Sequence, residues 1–411
     1  MRPLLPVFIL LLLLITGCLT SRVSHVREAV EEVCREAVGD PRTDRCVVDV
    51  TGGKGKDLVL RGEVLSAETR EKVVSAARRL HPSVLDSLVV LPHPGVGEKS
   101  YGLVKVSVAN LRAHPDHGAE LVSQAVMGTP VRILKKSKDW YYIQTPDRYL
   151  AWTNASSVES LIPNGLEEWC HGARVICREL YGVVYADTLL QDRLSDLVAG
   201  AVLSGKAGNA GKERWCTVTL PDGRQGWAET ALFLDYDTWI QAAEATPATL
   251  VATARKMAGI PYLWGGTSSK ALDCSGFTKT VWFLNGILLE RDASQQFRHG
   301  EVIDAGAEQQ NLRPGDLLFF GRKEPLRIIH VGIYLGNREV IHASGQVAIS
   351  SMDPRQPHFS TYLSGTYVGA RRVVGMPSAF GYLPVKEHPW YQGMMETTRQ
   401  AYSYGNFINS F

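Results

Sequence analysis

The stretch LDCSGFTKTVWFLNG, Leu272 to Gly286, carries the reading of this 411-residue chain. Apolar residues recur at Phe277, Val281, Phe283 and Leu284, a roughly helical spacing, and Asn285-Gly286 supplies a stop. Asp273 has the chemistry of an N-cap, because its carboxylate can accept from the unpaired amides of a first turn. Cys274 is then the first helical residue. There the positive end of the helix favours the thiolate, which is the reactive form. Free cysteine is also among the most buried residue types. Position alone leaves a core role and a nucleophile both open.

Composition sets outer limits. The length predicts two to four domains. A net charge of +2 with 45% hydrophobic residues describes ordinary globular material, with no basic excess for nucleic acid. The densest basic run, RILKKSKD (Arg132 to Asp139), reads as a solvated strand end. At the N-terminus, Arg2 precedes an apolar run from Leu4 to Ile15. That run is shorter than the ~20 residues a membrane span needs and suits a secretory h-region. Thr16-Gly17 directly before Cys18 resembles the lipobox of bacterial lipoproteins. The resemblance implies a signal segment over residues 1–18, a lipidated Cys18, and a chain tethered to an envelope membrane facing a disulfide-permissive compartment.

Besides Cys18 and Cys274 there remain Cys34, Cys46, Cys170, Cys177 and Cys216, which cannot all pair. Cys34–Cys46 and Cys170–Cys177 stay open as local bridges. No C-x-x-C and no His/Cys cluster has zinc-site spacing, so neither metal nor cofactor is expected.

Four parts follow along the chain. Residues 22–95 alternate helical and strand patterns, as in CVVDV, DLVLRGEV, SAETREKVVSAARRL and SVLDSLVVLP. They predict a small α+β module that weakly resembles a BON domain. PHPGVGEKS (Pro92 to Ser100) reads as a linker. An internal repeat comes next. WYYIQTPDRYLAW from Trp140 and WCTVTLPDGRQGW from Trp215 align at an offset of 75, pairing Trp140/Trp215, Ile143/Val218, Pro146/Pro221, Asp147/Asp222 and Trp152/Trp227. Period-2 segments broken by turn residues predict two small β-barrels, which resemble bacterial SH3 domains over 101–160 and 179–236. IPNGLEEWCHGARVIC reads as the linker between them. Residues 237–375 hold the chemistry, and 376–411 form a C-terminal tail.

Within that third part, IIHVGIYL and EVIHA form a predicted hairpin, each strand with a histidine, His330 and His342. A loop of odd length centred on Gly336 sets the two opposite each other on one face, whereas a two-residue turn leaves them diagonal and on opposite faces. The polar Gly-Asn-Arg tip permits a three- or five-residue loop, so the sequence allows the shared face. A thiol nucleophile needs a base within hydrogen-bond reach, and the base needs a third group to fix its tautomer. One cysteine and two histidines meet that need.

Taken together, PYLWGG with LDCSGF, RDASQQ, LRPGDLLFF, and HVGIYLG with VIHASG resemble the NlpC-type cysteine peptidases, a papain-like family that cuts bacterial peptidoglycan. The paired SH3-like repeats extend the likeness to the γ-D-glutamyl-L-diamino acid endopeptidases, the dipeptidyl-peptidase VI subgroup. The resemblance implies an α+β chain: a papain-like C-terminal peptidase preceded by two SH3-like barrels and a small α+β module. It implies Cys274 as nucleophile, His330 as general base and His342 as the orienting group. It puts Tyr262 and the Cys274 amide near the oxyanion, with Asp273, Ser275 and Ser294 lining the substrate site. It also implies that the first barrel closes the cleft and holds a free N-terminal amine. Glu120 and Tyr149, whose place in the second repeat is taken by Arg224, are the candidates for that pocket. Peptidoglycan stem peptides are the expected partner, the chain acting as a monomer without nucleic acid. The rival readings are an acyltransferase of related fold and a non-catalytic wall-binding protein.

Overall fold

The computed structural model describes residues 23–52, 57–208, 211–306, 309–379 and 381–394. Cys18 and the apolar run before it lie outside the described residues. The chain divides into two units, one containing residues up to 97 and the other 98–395. Mixed helix and sheet content fits the expected α+β class.

In the first unit, Cys46–Gly52 pairs antiparallel with Leu58–Val64, which pairs parallel with Val84–Val90. A parallel pair needs a crossover, and the helix Ala67–Leu80 provides it, capped by Ser66 Oγ accepting from the Thr69 amide at 3.1 Å. The helix turns Val73, Val74 and Ala77 into a core with Val50, Leu60 and Leu88. Residues 23–37 are helical, and Cys34 is bonded to Cys46.

The second unit begins with two seven-stranded sheets. Counted from its own first strand, each sheet has the order 7-1-4-5-6-2-3. The repeat persists in the register, since Trp140 faces Asn154 in one sheet and Trp215 faces Glu229 at the same offset in the other. Two expectations need correction. The second sheet starts at Arg174–Cys177, before the expected 179, and pairs on both sides with Val202–Gly205 and Phe233–Asp235. That strand is buried along its whole length, so it has no period-2 pattern to reveal it. The stretch read as a linker is therefore structured, with the helix Pro163–His171 ahead of this strand. Cys170 and Cys177 are also free thiols, not a bridge. Cys170 Sγ donates to the Trp390 carbonyl and Cys177 Sγ to that of Glu179, in different cores.

The last part packs the helix Cys274–Leu284 against a six-stranded antiparallel sheet. Phe277, Val281 and Trp282 are fully buried against Leu317, Phe319, Val331, Ile333 and Ile341. Burial of each such side chain stabilises the fold by about 1.5–3 kcal/mol, and it fixes the start of the helix relative to the sheet. Residues 381–394, read as tail, are part of the fold. Tyr382–Pro384 pairs with Ile287–Leu289, Val385 and Tyr391 are buried, and His388 donates to the Pro146 carbonyl at 3.0 Å.

Candidate active site

Cys274 opens its helix as expected. Asp273 is the N-cap, its Oδ1 accepting from the Gly276 amide at 2.7 Å. Gly276 has a steric reason as well, because a Cβ there would lie 1.9 Å from the Gly266 carbonyl oxygen, which binds the Asp273 amide. The amides of Cys274 and Ser275 precede the helical ladder, and the Ser275 amide points at the thiol. Asp273 is held from behind by Arg291, which is 1% exposed. The Arg291 guanidinium donates to Asp273 Oδ2 at 2.5 Å and Oδ1 at 3.1 Å, to Ser275 Oγ at 3.0 Å and to Ser123 Oγ at 3.1 Å.

The histidines share a face by a route other than the odd loop. Asn337 and Arg338, with φ of 50° and 62°, make a two-residue turn. A register shift between Tyr334 and Gly336 inserts one extra residue in the first strand. This bulge restores the parity that the turn alone would lose. His330 and His342 are consequently diagonal neighbours on one face, with His330 Nε2 2.9 Å from His342 Nδ1. Gly332 makes room for the pair, since a Cβ there would come within 3.0 Å of His342 Cβ.

The thiol meets this hairpin at the Val331 amide, immediately after His330. Ladder pairing between the two strands begins only at Ile333–Ile341, so Val331 lies outside it. Tyr362 closes the other side, its ring 6.2 Å from His330 and its phenol within the field of Cys274. Tyr262 lies within the fields of Cys274 and Asp273. Burial above all pushes its phenol up to about 12, which keeps it a hydrogen-bond donor at neutral pH.

The resting protonation differs from the expectation of a helix-stabilised thiolate. Burial pushes the Cys274 thiol up to about 11, with the Asp273 charge adding to it and the Val331 amide and Arg291 opposing. Burial and then His342 hold His330 down to about 3, and burial holds His342 down to about 4. Desolvation outweighs the half-charge of the helix end. Burial favours the neutral thiol at Cys274 and the neutral imidazole at His330. Nε2 of His330 is engaged by His342, which leaves Nδ1 as its other ring nitrogen.

The first barrel forms a wall of this site. Tyr149, buried, donates its hydroxyl to Asp292 Oδ2 at 3.2 Å. The Trp264 indole donates to Glu120 Oε1 at 2.8 Å. Gln124 binds the Thr267 amide and the Ser268 hydroxyl, both at 3.1 Å. Asp147, buried, pairs with Lys279 at 2.6 Å. In the second barrel the counterpart of Tyr149, Arg224, turns to Asp222 on the surface. In the segment RDASQQ, Arg291 and Gln296 reach the first turn of the Cys274 helix, Gln296 donating to the Ser275 carbonyl at 3.2 Å and accepting from Thr278 at 2.8 Å. Ser294 is half-buried one turn further on, its carbonyl accepting from Arg298. Sequence reasoning passed over Arg291, Asp292, Ser123 and Trp264 as individual site residues. The available signal was a charged Arg-Asp pair inside an otherwise buried run, Leu288 to Gln296.

The NlpC/P60 family pattern matches residues 259–372, and the bacterial SH3 domain pattern matches 107–159. Dipeptidyl-peptidase 6 of Lysinibacillus sphaericus is 30% identical over 64% of this chain and 96% of its own length. The γ-D-glutamyl-L-lysine dipeptidyl-peptidase of Bacillus cereus is 36% identical over 38% of this chain and 45% of its own. The crystal structure of a Bacillus cereus NlpC/P60 family protein shares the fold with a TM-score of 0.58 at 22% identity, covering 67% of this chain and 100% of that one. With the cysteine-led helix, the histidine-bearing hairpin and the SH3-like wall in one unit, the chain belongs to the NlpC/P60 family.

Proposed function

We propose that this protein is a cysteine peptidase that hydrolyses the γ-D-glutamyl–diamino acid bond of peptidoglycan stem peptides bearing a free N-terminal L-alanine. In this reading the Cys274 proton passes to His330 Nδ1 as sulfur attacks the carbonyl carbon. The oxyanion is held by the Cys274 and Ser275 amides and the Tyr262 hydroxyl. Collapse breaks the C–N bond, the leaving amine takes the proton from His330, and a thioester remains. His330 then takes a proton from water, whose oxygen displaces the thiol and yields the γ-D-glutamyl carboxylate. His342 orients the base. Ser275 and Ser294 line the γ-D-glutamyl side.

The observation that carries the specificity is the wall built by the first barrel. Glu120 and Tyr149 stand at its edge, each bound to a residue of the peptidase part, Trp264 and Asp292. In this reading Glu120 and Asp292 supply carboxylates for an ammonium group, Asp273 being taken up by Arg291, and the wall blocks longer chains. Relatives named for dipeptidyl-peptidase activity support the same reading. It is tested by comparing L-Ala-γ-D-Glu-diamino acid peptides with their N-acetylated forms. Cleavage of the free amine alone is expected, and equal rates on both would refute the amine pocket.

The proposed organisation is a signal segment at 1–18, a small module at 22–95, two SH3-like barrels with the second extended back to 174, and the peptidase from 237. Lipidation at Cys18 would hold the chain, as a monomer, on an envelope membrane. Palmitate labelling that is lost in Cys18→Ala tests the anchor.

A further inference from the structure

The strand Gln346–Ser351 lies beside the strand that carries His342, with Val340 facing Ser350. Ser350 Oγ is 3.1 Å from His342 Nε2, and the other ring nitrogen of His342 is 2.9 Å from His330. Three groups therefore form one chain of hydrogen bonds, Ser350–His342–His330, with both histidines buried. Resting on the reading of His330 as base, we propose that Ser350 is a positioning residue that holds the histidine pair in its productive tautomers.

The argument is one of proton direction. His330 can accept the thiol proton at Nδ1 only if its own proton sits on Nε2, where it donates to His342 Nδ1. His342 must then carry its proton on Nε2, which needs an acceptor, and the Ser350 hydroxyl provides one. Without it, His342 gains by turning its proton inward onto Nδ1 and donating to His330 Nε2. That drives the His330 proton onto Nδ1, against the thiol, where it blocks proton uptake. A buried donor left without a partner is the unfavourable alternative.

The test uses the full chain with an L-Ala-γ-D-Glu-L-diamino acid tripeptide and ¹⁵N-histidine spectra. Ser350→Ala is expected to lower kcat roughly 3- to 10-fold, the factor carried by one ordinary hydrogen bond, with KM unchanged. Ser350→Thr, which keeps the hydroxyl, restores kcat to within about twofold. The spectra show both rings as Nε2–H tautomers in the wild type and a new Nδ1–H population of His330 in Ser350→Ala. Unchanged tautomers in Ser350→Ala, whatever kcat does, overturn the proposal, as does a Ser350→Thr variant as slow as the alanine. If His330→Ala retains full activity, the base assignment fails, while the tautomer readout still decides the part about Ser350.

Discussion

The pair Asp273–Arg291 joins the first barrel, through Ser123, to the residue before Cys274, and its energetics can be worked from its burial. Arg291 is 1% exposed and Asp273 9% at the side chain, with the contact at 2.5 Å. Removing one member leaves a buried charge with only secondary partners, Asp292 at 3.9 Å for Arg291 and the Gly265 and Gly276 amides for Asp273, a loss of up to ~3–5 kcal/mol. Asp273→Asn and Arg291→Met are each expected to cost that much. At 2–4 °C per kcal/mol, the transition of the 98–395 unit should fall by roughly 6–20 °C. The double variant removes both charges together. What remains is the Gly265 amide, which loses its acceptor Asp273 Oδ2, and two serine hydroxyls, Ser123 and Ser275, each short of one donor, at about 1 kcal/mol for each of the three groups. A total of about 2–4 kcal/mol follows, far below the summed single losses, with a coupling of at least about 2 kcal/mol. Urea unfolding read by tryptophan fluorescence, with calorimetry on the same four proteins, measures the cycle. Single losses under about 1 kcal/mol, or additivity within ~0.5 kcal/mol, would show that the pair is not the tie described.

Cys274→Ala should abolish turnover, by on the order of 10⁴–10⁶, with His330→Ala nearly matching it and His342→Gln retaining part of the rate; a Cys274→Ala enzyme within tenfold of wild type sinks the thioester route. Alkylation of Cys274 in the free enzyme should accelerate with pH towards about 11, the value to which burial raises its thiol; a rate flat from pH 5 to 8 would reveal a thiolate–imidazolium pair instead. Cys170, Cys177 and Cys216, all buried, should label only after unfolding, which a thiol count with and without denaturant checks. His330, His342 and His388 are each depressed in the fold, to about 3, 4 and 4. The unfolded chain therefore takes up protons first as pH falls below the ordinary histidine value, and stability is lost between about pH 6.5 and 4 at up to ~1.4 kcal/mol per unit for each. A melting temperature unchanged from pH 7 to 4.5 contradicts that burial. Tyr149→Phe should raise KM for free-amine peptides while largely sparing the melting temperature, since the buried ring stays and the hydroxyl bonded to Asp292 is removed; equal KM would detach Tyr149 from the substrate wall.

What the sequence alone settled is local. The start of the Cys274 helix is written in Asp273 and in the spacing of Phe277 and Val281, because capping and amphipathic burial act within about four residues. The helix of SAETREKVVSAARRL behind Ser66 was legible for the same reason. The two-barrel repeat was legible because its strands and turns recur at one offset. The sequence also placed both histidines in one hairpin. The tertiary structure decided everything that depends on which surfaces meet. A bulge next to Gly336 put the histidines on one face, and no propensity distinguishes that bulge from an odd loop. The fully buried strand Arg174–Cys177 carried no alternation to read. Cys170 and Cys177 lie close in sequence yet turn into separate cores. Arg291 finds Ser123 across 168 positions, and His342 finds Ser350 on the next strand, choices made by packing and not by neighbours in the chain. The Cys274 thiol followed the same rule: the helix end argues for a thiolate, while the depth of burial, a property of the assembled fold, pushes the thiol up and favours its neutral form.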